Sequence, residues 1–99
     1  MILNQPVLRL KAGDPLGAIE EYTRAIAVDP KHTRAHAMRG VAHTGCAYAK
    51  IGNGREHLRA AVQDLEKALE LGGMEGDYRR NVQETLRAAR EMLKDLGDE

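Results

Sequence analysis

Four turn signals divide this chain, and the intervals between them repeat their apolar residues at the period of an α-helix. The signals are Gly13-Asp14-Pro15, Asp29-Pro30, Gly52-Asn53-Gly54 and Gly72-Gly73. Between Pro15 and Val28, Ile19, Tyr22, Ala25 and Ile26 share one face. Asp14 is suited to cap that helix and Pro15 to occupy its first position. Residues 33–51 read as a long helix of about 28 Å at 1.5 Å per residue. Residues 55–71 carry Leu58, Ala61, Val62, Leu65, Ala68 and Leu69 on one stripe. Residues 77–96 do the same with Tyr78, Val82, Leu86, Ala89, Leu93 and Leu96. Residues 5–12 read as a short, weak helix, because Pro6 is tolerated only in a first turn. No segment alternates as a strand does, so the expected fold is all-α with about five helices in a single domain, 1–99.

Composition narrows the core and the partners. The chain has no Phe, no Trp and three Tyr, so Ala, Leu, Val and Ile must build the interior through close helix approach. Charged residues make up 30% and balance to zero, which gives no strong pull toward nucleic acid or an anionic membrane. Residues 1–50 carry +3 and residues 51–99 carry −3. Cys46 is alone, so no intrachain disulfide forms. No apolar run approaches the roughly 20 residues of a membrane span. The start of the chain lacks a secretory signal, and a cytoplasmic protein is expected.

Two segments share a pattern. Ala18, Tyr22 and Ala25 align with Ala61, Leu65 and Ala68 in the form Ala-x3-large-x2-Ala. Pro30 closes the first copy. Gly45-x-Ala47-Tyr48-x2-Ile51-Gly52 adds a small residue, an aromatic three positions on and a terminating glycine. Together these resemble the tetratricopeptide (TPR) repeat, over roughly residues 7–96. The resemblance implies a right-handed superhelix of antiparallel helix hairpins: 5–30 as the first, 33–71 as a second, elongated one, and 77–96 as a capping helix. The copies are 43 residues apart, against 34 in the family. Counting from Pro30 puts Gly40 at the small-residue position; matching the Gly-Ala-Tyr pattern puts Gly45 there. A helical wheel groups Met38, Val41, Ala42, Gly45, Tyr48 and Ala49 as an apolar stripe, with Gly40 on the far side. The expectation is therefore that Gly45 lies in the core, that the long helix is extended at its N-terminal end by about five residues, and that the Gly52–Gly54 hairpin takes the rest of the extra length.

Opposite that stripe lie His32, His36, Arg39, His43 and Lys50, with Cys46 at the edge. The resemblance implies that this face lines a concave groove: Arg39, His43, Cys46, Ala49 and Lys50 match groove positions. The last helix would add Arg79, Gln83 and Arg87. Arg, Lys and His there would favour an acidic segment or a C-terminal carboxylate. His32 and His36 could chelate one ion, but His43 lies about 10 Å further along and no carboxylate joins the stripe, so no metal site is expected. Cys46 has His43 nearby but no third orienting group, and Gly52-Asn53-Gly54 lacks the Lys-Ser/Thr of a phosphate loop. No catalytic residue, cofactor or enzyme activity is expected. The expected function is a protein-protein interaction scaffold that binds a peptide or protein segment. Two alternatives stand beside it: a self-associating module, as a homodimer or as a fragment of a larger repeat protein, and a metal or pH sensor built on the histidines.

Overall fold

The computed structural model describes residues 14–97. Four helices account for most of them: α1 (Pro15–Val28), α2 (Thr33–Tyr48), α3 (Gly54–Leu71) and α4 (Gly76–Asp95). The helix expected over residues 5–12 lies outside the described residues. Among the described residues, no helix is long and apolar enough to cross a membrane.

The helix ends follow local chemistry. The Asp14 carboxylate accepts from the Gly17 amide at 3.0 Å, and Pro15 occupies the first turn. The His32 ring nitrogen Nδ1 caps α2 by accepting from the Ala35 amide at 3.2 Å. The Asn53 side chain caps α3 through the Glu56 amide at 3.1 Å. Gly72 and Gly73 leave α3 with φ of 78° and 82°, which glycine adopts without a Cβ penalty. Helix α2 ends differently. The Ile51 amide reaches back to the Cys46 carbonyl at 2.9 Å, and Lys50 between them takes φ 58°. That closing turn usually carries glycine.

Consecutive helices run antiparallel, as the pairs Arg39–Asp64 and His43–His57 show for α2 and α3. Helix α2 sits centrally between two cores. Ala18 and Tyr22 of α1 pack with its Ala35 and Ala42. Its Ala37 joins Leu58, Ala61, Leu65 and Ala68 of α3 and Val82, Leu86, Ala89 and Leu93 of α4. Leu58 and Leu65 are almost wholly buried, which contributes about 1.5–3 kcal/mol each relative to exposure.

The register of α2 differs from the wheel's. Gly40, not Gly45, is the close-packing glycine. A Cβ on Gly40 would lie 2.7 Å from Leu65 Cγ and 3.2 Å from the Ala61 carbonyl oxygen. A Cβ on Gly45 would meet nothing within 4 Å. Tyr48, grouped by the wheel with the core stripe, is 69% exposed. Helix α2 begins at Thr33, where the expected helix begins, and ends at Tyr48, three residues before its expected end. The physical reason is that a wheel ranks faces by hydropathy alone. Here α2 meets α3 through small residues and a paired charge, and its apolar stripe is split: Ala42 and Met38 pack toward α1, Val41 borders the other core, and Tyr48 and Ala49 are exposed.

Candidate functional site

The polar stripe of α2 is an internal joint. The Arg39 guanidinium grips the Asp64 carboxylate with both arms, Nε to Oδ2 and Nη2 to Oδ1, each at 2.8 Å. Its remaining arm donates to the Thr23 hydroxyl at 3.2 Å, so one arginine ties α1, α2 and α3 together. Asp64 is buried on the α3 flank next to Leu65. Its bonds hold the Arg39 pKa above the ordinary arginine value, with burial opposing. His36 donates from Nε2 to the Pro30 carbonyl at 2.9 Å, and its Nδ1 faces Asp64 at 3.9 Å. His43 and His57 share a hydrogen bond between their Nδ1 atoms at 2.9 Å, so one ring donates and the other accepts. Burial is the main force pushing the His43 pKa down. Asp64 pulls it back, and the charges of His57 and Arg39 push it further down.

Cys46 is fully buried, and burial raises its thiol pKa, so it offers no reactive thiolate. Among the described residues, no group of three or more His, Cys, Asp or Glu gathers as metal ligands. Lys50 is exposed and lines a separate depression of about 450 Å³ at the hairpin tip, with Ala47, Leu58, Met92 and Leu96. Arg79, Gln83 and Arg87 are exposed. At about 100° per residue they stand on the side of α4 away from Asn81, Thr85 and Ala88. The seven residues expected to share one groove are thus divided among an internal joint, the hairpin tip and the outer face of α4.

The open groove lies between α2 and α4. Arg34 near the start of α2 sits 5.9 Å over the ring of Tyr78 near the start of α4, and the two helices run the same way from there. Further along, Val41, Thr44, Gly45 and Tyr48 face Asn81, Glu84, Thr85 and Ala88 across a depression of about 450 Å³. Thr44 donates its hydroxyl to the Gly40 carbonyl at 2.9 Å and Thr85 to the Asn81 carbonyl at 2.8 Å. Each hydroxyl is thereby occupied on its own helix. Neither the Asn81 side-chain amide nor the Glu84 carboxylate has a hydrogen bond or ion pair among the described residues. At the Arg34 end, the buried hydroxyls of Tyr22 and Tyr78 have no hydrogen-bond partner among the described residues. Burial drives the Tyr22 pKa up to about 12, against the opposing charge of Arg34.

Hydropathy alone hides this groove, because Val41, Gly45 and Tyr48 look like core and Asn81 and Glu84 look like solvated surface. The signal that could have exposed it is Asp64. A carboxylate three residues from Ala61 and next to Leu65 lies beside a packed stripe and needs a cation from the facing helix. Arg39 is the cation in register, which turns Val41 and Gly45 outward. Comparison with family models, with curated proteins and with solved structures finds no match.

Proposed function

We propose that this chain is a TPR-like protein-interaction module, a short right-handed superhelix of helix hairpins that captures a polypeptide segment between α2 and α4. The observation that carries the reading is Gly45. A mid-helix glycine costs about 0.5–1 kcal/mol relative to alanine. No internal contact at this position requires one, since a Cβ there would meet open space. An incoming side chain would use that space. Two other features support the repeat reading. The copies of the Ala-x3-large-x2-Ala pattern place Tyr22 and Leu65 fully buried between helices. Helices α2 and α4 lie side by side, as first helices of successive repeats do in such stacks. The titratable groups of the polar stripe are engaged in structural pairs, Arg39 with Asp64 and His43 with His57, and Glu84 stands as the one charged side chain in the groove lining among the described residues, without a second beside it, which favours binding over catalysis. The polar outer stripe of α4, with Arg79, Gln83 and Arg87, suits a terminal helix.

The test is affinity capture with three forms of the chain. Wild type should retain partners that the Gly45→Leu/Tyr48→Ala double variant loses. The Arg79→Ala/Gln83→Ala/Arg87→Ala variant should retain them too. Equal recovery by all three removes the groove from the account. Replacing Arg39 is unsuited to this purpose, because it leaves Asp64 buried and unpaired.

A further inference from the structure

We infer that the captured segment is basic and apolar, with one leucine-sized side chain seated over Gly45 and a lysine or arginine beside it on Glu84. This rests on the groove reading above and names the partner's chemistry. The α2 wall of the gap is largely apolar, and Asn81 and Glu84 put polar groups on the α4 wall. Val41 and the exposed Tyr48 ring flank the gap, and the hydroxyls of Thr44 and Thr85 are bonded to carbonyls of their own helices. An apolar side chain placed over Gly45 displaces water there without stranding either threonine hydroxyl, and leaves Asn81 and Glu84 to polar groups of the same segment.

Charge then selects the neighbour. Glu84 is the charged residue in this lining, and it is without a partner among the described residues. Glu91, seven residues on and so on the same side of α4, is exposed and likewise unpaired. Among the nearby cations, Arg39 is committed to Asp64 on the opposite side of α2 and Arg80, one turn before Glu84, to Asp77, while Arg87 and Lys94, one turn after Glu84 and Glu91, form no ion pair with them among the described residues. Arg34 stands at one end, over Tyr78. A cationic side chain crossing the gap gains a charge-assisted bond to Glu84, and an acidic one meets like charge. The free Asn81 amide offers a donor and an acceptor to the backbone of the same segment.

The experiment uses short, blocked, fluorescently labelled peptides in which one leucine is flanked by lysines, glutamines or glutamates. Binding is followed by anisotropy at low and high salt. The lysine series should bind tightest, with the glutamine series weaker by about two- to fivefold, the scale of one solvent-exposed ion pair. The lysine advantage should shrink with salt. Glu84→Gln should abolish the difference between the lysine and glutamine series. Gly45→Leu should lose all series while circular dichroism stays helical, and Ala88→Met blocks the same gap if Gly45→Leu fails to fold. A preference for the glutamate series, or a lysine preference that survives Glu84→Gln, overturns the basic-partner inference and leaves the groove standing. Absence of binding by every series, or binding indifferent to both blocking variants, overturns the groove reading as well.

Discussion

Two glycines five residues apart in one helix should respond to alanine with opposite signs. At either position alanine gains about 0.5–1 kcal/mol of helix propensity. At Gly45 nothing opposes that gain, because the new Cβ meets no atom within 4 Å. Gly45→Ala should therefore stabilise the fold by about 0.5–1 kcal/mol. At Gly40 the new Cβ would lie 2.7 Å from Leu65 Cγ, 3.0 Å from its Cδ2 and 3.2 Å from the Ala61 carbonyl oxygen. Leu65 is fully buried and the carbonyl belongs to the α3 backbone, so neither moves cheaply. Overpacking of this kind costs about 1–3 kcal/mol. The net effect of Gly40→Ala is a loss of about 1–2 kcal/mol, or roughly 4–15 °C in Tm for a domain of this size. Urea unfolding followed by circular dichroism, read as a midpoint shift at constant slope, measures both variants. Wild-type stability in Gly40→Ala, or a loss in Gly45→Ala, would refute the assigned rotation of α2.

Three further outcomes follow from the internal joint and the helix ends. Arg39→Ala should destabilise by about 3 kcal/mol because it strands the buried Asp64 carboxylate, whereas Arg39→Leu/Asp64→Leu should lose less than its two single variants combined; additive losses would show that the pair is uncoupled. Stability should depend on pH through His43. Its folded pKa lies below the ordinary 6.5, so the unfolded chain binds more protons between the two values. That contribution is complete above pH 6.5 and is lost as pH falls from there through the folded pKa, and His43→Gln should flatten this part of the urea-midpoint profile; an unchanged profile contradicts the burial of His43. Lys50→Gly should stabilise by about 1 kcal/mol in thermal unfolding, since Lys50 holds φ 58° in the turn that closes α2; a loss would mean that the lysine side chain makes a contact outweighing its backbone strain.

The elements were legible and one rotation was not. Asp14, Pro15, Pro30, Asn53 and the Gly72-Gly73 pair mark helix ends within a few residues of where they fall, because capping and turn chemistry act locally. The stripes of α3 and α4 were equally plain, since each faces its core with Leu, Val and Ala. Helix α2 resisted because it is a central helix touched on several sides. Its joint with α3 uses Gly40, Ala37 and a two-armed Arg39–Asp64 pair, whose side chains read as a solvated face when seen singly. Its open side presents Val41, Gly45 and Tyr48, which read as core. Only the pairing of Asp64 with a cation 25 residues earlier distinguishes the two. Such a long-range partnership lies beyond any single-helix pattern. The groove residues of α4 carried no signal of their own, because Asn81 and Glu84 gain meaning only when α2 stands beside them.

The central claim is that α2 presents its Val41–Gly45–Tyr48 face, with Glu84 of α4, to a bound segment. Backbone amide chemical-shift mapping with the lysine-flanked leucine peptide tests it most directly. Saturable shifts centred on Gly45, Tyr48, Glu84 and Thr85, with Arg79, Gln83 and Arg87 unmoved, are predicted. Shifts centred on Arg39, His43 and Lys50, or on the outer stripe of α4, would contradict the account.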